Sequence, residues 1–419
     1  MSMLLGCPRW AVGLTVAALL LTSPVRAMQA TPDSAPTYEY LIERLDGMPS
    51  TLEAQALYDA AAARVQQAGA LPNPTLSYDR ENFSGSGAYG GSRSAENTVS
   101  LSQPLELWGQ RRARVDAARS EASAAGLRRD QQRWWTAGQV AKAYAAAEAA
   151  SRRFLLAEEA LALIEQDAQA VAALVKAGRE AELRGIQAQS EVESARASLD
   201  EARFVRDAAF ARLSALAMVD MPIGTLGNSL LDRTPLVREL NTSDPLAVRV
   251  AQAELDTAQK LITVERRRAL PEVSASLGRR TFQESGEDAM TAGITLTIPL
   301  FDRNRGGIRA AYAEQRAAEA RLTTQQQIAQ ADRLAAQSAL TASNSRTRAA
   351  DKGVATAEEA YRLARIGFDA GRISQLELRS SRAALIATRN SAVDARQARV
   401  QAEIDLALLE ARAPFRTTP

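Results

Sequence analysis

The sequence predicts a mainly α-helical fold with a small β part, built from a duplicated unit of two strands followed by a long helical hairpin. Three observations carry this. First, the chain repeats itself. Ala70-Leu71-Pro72-Asn73-Pro74 returns as Ala269-Leu270-Pro271-Glu272, Leu101-Ser102-Gln103-Pro104-Leu105 as Leu296-Thr297-Ile298-Pro299-Leu300, and Ala177-Gly178-Arg179 as Ala370-Gly371-Arg372. The spacing between the copies hardly drifts across the three landmarks, so one structural module occurs twice. Second, no proline occurs from Leu105 to Met221 or from Leu300 to Ala413. Both stretches are rich in Ala, Glu, Arg, Gln and Leu, which favour helix, whereas an interior proline would break it. Third, short segments ahead of each stretch alternate apolar and small polar residues with a period of two, the mark of a half-exposed strand.

Residues 1–27 read as a secretory signal: Arg9 is the positive start, Ala11 to Leu21 the apolar stretch, and Val25-Arg26-Ala27 the cleavage site. Cys7, the only cysteine, precedes the apolar stretch rather than following it, so no lipoprotein box is assigned. Cleavage removes Arg9 and Arg26 and no acid, which brings the net charge of +2 to zero.

The first repeat spans 28–217, with strands at about 73–83 and 97–105 and a hairpin at about 110–217. In the strands, Leu76, Tyr78, Val99 and Leu101 alternate with Ser77, Asp79, Ser100 and Ser102. A glycine-rich loop, Ser84 to Gly91, joins them. Gly178 marks the hairpin turn, because glycine tolerates the positive φ of a tight helix–helix connection. Each descending arm, about 110–176 and about 305–369, would be about 100 Å long at 1.5 Å per residue. No single globular core covers such a helix, so a coiled-coil-like partner is required. The returning arm shows the seam: Val192, Ala195, Leu199, Ala202, Ala209, Leu213 and Leu216 fall on alternating steps of three and four. Residues 218–244 form a linker or equatorial subdomain.

The second repeat spans 245–413, with strands at about 272–282 and 290–299, a hairpin at about 305–411 and a tail at 414–419. Its seam runs through Leu385, Thr388, Ala392, Ala395, Arg399, Ala402, Leu406 and Leu409, and Arg206 fills the slot of Arg399 in the first copy. These arginines suit either a snorkelling surface position or a pore-facing or inter-helix pair. Gly109 and Gly306-Gly307 are expected to re-aim the chain where strand gives way to helix. Trp108 and Phe301 at the same junctions suit an interfacial aromatic belt or packing at the joint.

No later apolar run reaches the length of a transmembrane helix, so membrane insertion would require a closed β-barrel. Four strands per chain cannot close one, and several chains would have to contribute. Ile294, Leu296 and Ile298 would then face lipid and Thr291, Thr295 and Thr297 the lumen. The competing arrangement is a small sheet packed on the helices of a soluble protein.

No catalytic set emerges. Histidine is absent and Cys7 lies in the signal, so imidazole bases, thiol nucleophiles and the usual zinc ligands are missing. No phosphate-cradling loop or nucleic-acid surface occurs, and neither a cofactor nor a metal site is expected.

This order of elements resembles the TolC-type outer-membrane efflux family over nearly the whole mature chain. The resemblance rests on the duplication, on Ala70 to Pro74 leading into the first strand, and on the hairpin turns. Phe368-Asp369-Ala370-Gly371-Arg372-Ile373-Ser374-Gln375-Leu376-Glu377-Leu378 is similar to the family's helix-tip segment. Gln103 to Val115 is most similar to the heavy-metal, CzcC-like branch of resistance-nodulation-division (RND) systems. The resemblance implies a homotrimer with a twelve-stranded barrel in outer-membrane lipid, continued by an α-helical barrel across the periplasm. It also implies an inner-membrane RND pump and a periplasmic adaptor (membrane fusion protein), no enzyme activity, and passive conduction of heavy-metal cations or small toxic compounds. Gly178, Arg179, Gly371, Arg372 and Ser374 would form adaptor-docking tips. The family's acidic residue at the inner mouth matches Glu377. The first copy departs from it with Arg184, near Glu182 and Glu180, and a second acidic position falls on Ser380. Other readings are the exit duct of a type I protein secretion system and a soluble periplasmic coiled-coil adaptor.

Overall fold

The computed structural model describes residues 35–219, 222–234 and 244–415. The expected signal (1–27) and the last residues of the tail lie outside them. Two short helical elements, α1 (Tyr38–Glu43) and α2 (Pro49–Gly69), lead to β1 (Thr75–Glu81) and β2 (Glu96–Leu105). α3 (Gln110–Lys176) and α4 (Glu182–Ala217) form the first long hairpin. The second repeat runs α5 (Leu246–Arg268), β3 (Glu272–Phe282), β4 (Asp288–Thr297), α6 (Arg305–Asp369) and α7 (Gln375–Leu409).

Local chemistry sets the boundaries. Pro49 sits at the start of α2, where its missing N–H costs nothing. Gly109, with φ 75°, re-aims the chain into α3. At the equivalent junction the turn is made by Asn304, with φ 50°, and Gly306-Gly307 already belong to α6. The expectation for those two glycines is thereby corrected. Gly307 serves another purpose: a Cβ there would collide with the side chains of Asn304 and Glu265. Those two are joined by a bond of 2.6 Å from Asn304 Nδ2 to Glu265 Oε2.

The strands form one antiparallel sheet in the order β1-β2-β3-β4, so the two copies meet at the β2–β3 ladder. The apolar core lies partway along the helices. There Tyr38, Leu41, Tyr144, Leu213, Leu230, Leu231, Val400 and Ile404 are buried together. Tyr38 stands edge-on to Tyr144 and to Phe415, each at 5.9 Å between centroids. Such pairs contribute about 0.5–1.5 kcal/mol beyond their area. Burial pushes the Tyr144 hydroxyl up to about 12, and that hydroxyl donates to Asn228 at 2.7 Å.

Buried Glu148 of α3 clamps the inter-repeat segment. Its carboxylate accepts from the backbone N–H groups of Leu230 and Leu231 and from Ser229 Oγ at 2.6–3.2 Å. Beside it Arg152 pairs with both Glu148 and Asp232. That guanidinium holds the Asp232 carboxyl below the usual range. Among the described residues, no helix is long and apolar enough to cross a membrane.

Candidate functional site: sheet faces and hairpin tips

The register of the sheet separates a mainly apolar face from a mainly small-polar one. Along one face run the rows Leu105–Val273–Leu296, Gln103–Ala275–Ile294, Leu76–Leu101–Leu277–Ala292 and Tyr78–Val99–Arg279–Met290. Along the other run Pro104–Ser274–Thr295, Thr75–Ser102–Ser276–Gly293 and Ser77–Ser100–Gly278–Thr291. Alternation in each strand follows from the two-residue pleat, and the register keeps like with like across all four. Two amides lie on the apolar face: Asn97 accepts from the Tyr78 hydroxyl at 2.9 Å, and Gln103 is tied down through Nε2 to the Pro72 carbonyl at 2.8 Å.

Ile294 and Leu296 are 80% and 51% exposed on this face. An aliphatic surface on both copies, left uncovered, requires a non-aqueous neighbour. Ile298 is not in the ladder. β4 ends at Thr297, paired with Glu272, because Pro299 has no N–H to offer and β3 itself begins after Pro271. Ile298 remains exposed just beyond the sheet. At the same boundary Trp108 Nε1 donates to the Pro271 carbonyl at 2.6 Å, tying one repeat to the other. Phe301 is fully exposed.

The two hairpin tips share a backbone. Gly178 and Gly371 both adopt φ 66°. Arg179 N–H donates to Leu174 O, and Arg372 N–H to Gly367 O, at 2.9 and 2.8 Å. This satisfies carbonyls that a helix end would otherwise orphan. Arg179 and Arg372 are exposed.

The tips differ in the helix that follows. Ser374 caps α7, accepting from Glu377 N–H, while the Glu377 carboxylate accepts from Ser374 N–H at 2.7 Å. That backbone hydrogen bond holds the Glu377 carboxyl below the usual range. In the first copy the N-cap is Ala181, with no side-chain oxygen, and Arg184 occupies the place of Glu377. Glu182 lies in the first turn of α4. Glu377 is thus engaged in a capping box while remaining exposed.

Behind the tips lies a cluster absent from the sequence-based expectations. Arg382 of α7, whose side chain is only 6% exposed, pairs with Asp167 of α3 and with Glu191 of α4, the latter at 2.8 Å. Arg379 also pairs with Glu191, and Arg365 of α6 approaches Asp167 at 3.8 Å. These residues bind both hairpins together. The seam's alternation steps back from Leu385 to Ser381, one residue short of Arg382, so the pattern passes it by. The cluster closes one end of a cavity of about 880 Å³ between α3, α4 and α7, lined by alanines with Leu156, Val205 and Ile386.

The equivalent arginines of the seam also diverge. Arg399 is buried and donates to the carbonyls of Leu231 and Arg233 at 2.8 and 2.7 Å. Arg206 stacks on the Phe154 ring at 4.1 Å and pairs with Asp207.

The chain matches the family model described as "Outer membrane efflux protein" over residues 43–217 and 240–411. It is 39% identical to the nickel-cobalt-cadmium resistance protein NccC of Alcaligenes xylosoxydans xylosoxydans, over 78% of this chain and 74% of that one. It is 37% identical to the nickel and cobalt resistance protein CnrC of Cupriavidus metallidurans, over 69% of each. Its fold superposes on the MtrE outer membrane channel of Neisseria gonorrhoeae with a TM-score of 0.77 and 21% identity, over 92% of this chain and 91% of that one.

Proposed function

This chain belongs to the outer membrane efflux protein family and resides in the outer membrane, and from that premise we propose that it is the exit duct for divalent heavy-metal cations. The observation that carries the cargo is the likeness to NccC and CnrC, both named for resistance to nickel and cobalt. The two-faced sheet supports the geometry. Three copies would supply twelve strands, with Ile294 and Leu296 toward lipid and the Ser/Thr/Gly face around the lumen. Neutral hydroxyl oxygens suit a conduit, since they ease a hydrated cation along without holding it. A periplasmic adaptor would meet the chain at the Gly178 and Gly371 tips, and an energised RND pump in the inner membrane would supply the cations.

A deletion strain complemented with this chain tests the cargo. Regained tolerance to nickel, cobalt or cadmium is expected; regained tolerance to organic toxicants alone would reject the metal assignment. Sheet orientation is tested by Ile294→Arg, expected to cost about 2–4 kcal/mol of membrane-assembled stability near the bilayer midplane. Thr295→Arg on the other face should cost much less, as read by heat-modifiable gel migration. Equal damage from both would refute the face assignment.

A further inference from the structure

The loop end of the sheet sorts its charges by face. On the Ser/Thr face lie Asp79, Glu81 and Glu96 with one cation, Arg280, which pairs with Glu96 at 2.8 Å and Glu81 at 3.1 Å. On the apolar face, the charged residues of the four strands are Arg80, Arg279 and Asp288 alone. All three lie in the last two rows, farthest from the helices, and the rows toward the helices carry no charge on that face.

Arg279 pairs with Asp288, which also accepts from Thr281 Oγ1 at 2.6 Å, so the one acid of this rim is already answered. Arg279 nevertheless remains two-thirds exposed, at 66%. The Arg80 side chain is exposed and makes no hydrogen bond or ion pair among the described residues. Tyr78 and Met290 share a row with Arg279, so aliphatic surface, aromatic ring and guanidinium follow one another within two rows. That sequence is what a hydrocarbon-to-headgroup boundary demands.

Resting on the outward orientation of the apolar face proposed above, we infer that Arg80 and Arg279 form a rim site for the phosphate groups of the outer-leaflet glycolipid. A guanidinium grips two phosphate oxygens at once with its planar fork. Arg80 has all its donors free. With the other acids of the sheet's loop end turned to the opposite face, an anionic headgroup meets no unanswered negative charge here.

The test is native mass spectrometry of the full-length protein in detergent, titrated with bisphosphorylated lipid A and with the same lipid stripped of phosphate. The native chain should prefer the phosphorylated form. Arg80→Gln with Arg279→Gln should weaken that binding by about thirtyfold, at about fivefold per arginine. Lysine at both positions keeps the charge without the fork and should give binding between that of the native chain and the double glutamine variant, while Arg280→Gln, the same charge change as one glutamine substitution but on the other face, should leave binding intact. No preference for phosphate, or an equal loss with Arg280→Gln, overturns the site. A nitroxide at Ile294→Cys, in a mature chain expected to lack cysteine, separates the two layers of the proposal. A label that meets water rather than lipid removes the orientation and the site together. A label in lipid without phosphate preference removes the rim site alone.

Discussion

α3 and α6 hold the same place in their repeats and nearly the same length, 67 and 65 residues, yet they are used in opposite ways. α3 is buried at intervals from Ala113 to Val171, packed by α2, α4, α5 and α7. α6 buries only Ala311, Ala318, Ala336 and Ser343, and rests mainly on α5 and α7. One copy became the axis of the protomer and the other was left with a bare side. A repeated sequence therefore need not find a repeated environment, and the bare side of α6 is where a second copy of the chain would be expected to pack.

The same divergence recurs at matched positions of the returning arms, where substitution can break or sharpen it. The largest effect is expected at Arg382. Arg382→Ala would leave Glu191 to Arg379 alone and Asp167 to the more distant Arg365, and losing the buried member of such a set costs about 3 kcal/mol. At the matching place in the first copy Gln189 is exposed and bonds only Glu193. Gln189→Ala should therefore stay within about 0.5 kcal/mol. Denaturant unfolding of the purified protein measures both, and equal costs would dissolve the comparison.

Next comes the seam arginine. Arg399→Ala leaves the buried Leu231 carbonyl and the half-buried Arg233 carbonyl unanswered and should cost about 2 kcal/mol. Arg206→Ala forfeits a ring contact and should cost about 1 kcal/mol. Glu403, 3.8 Å from Arg399, sharpens this pair. Burial raises its carboxyl above the ordinary value, so the folded state binds that proton more readily than the unfolded one. Stability attributable to this group then declines as pH rises through the raised value. Glu403→Gln should remove that decline from the unfolding profile.

The tips give the smallest effect. Ser374→Ala should loosen the start of α7 by about 1 kcal/mol, visible as faster amide exchange over the first turn. Ala181→Ser with Arg184→Glu should confer on α4 the protection α7 already has. Glu377 has a lowered folded-state value, so its contribution is complete above its unfolded value and lost as pH falls through the folded one. Protection of the α7 tip, taken relative to the intrinsic exchange rate at each pH, should therefore fall under acid, whereas protection of the α4 tip should not respond in that way.

The strand pairs, the long helices and both turn glycines could be read from proline spacing, period-two alternation and the doubled motifs, because each reflects a local rule of backbone geometry. The Ile294 and Leu296 face was legible for the same reason. Ile298 lies one residue past the ladder, because alternation continues in sequence past Thr297 while pairing ends there, two residues before Pro299. Asn304 escaped notice because neighbouring Gly306 and Gly307 offered the more obvious flexibility. The partners of Arg382 and Arg399 lie on other helices or in the inter-repeat segment. Only the packing of the four long helices decides which carboxylate or carbonyl an arginine reaches.

β2 and β3 are the central pair of the sheet, yet α3, α4, the inter-repeat segment and α5 all lie between them in the chain. The β1–β2 and β3–β4 hairpins close through local loops, but joining them means closing a loop that contains most of the first repeat. That closure is entropically costly and slow, while a lone two-stranded hairpin is marginal in water. The continuous apolar surface should therefore arise late, once the helical core around Tyr144 has drawn the copies together. Topology in this way acts as a timer: a chain still crossing an aqueous compartment carries two weak hairpins, and the lipid-seeking surface exists only when folding is nearly done.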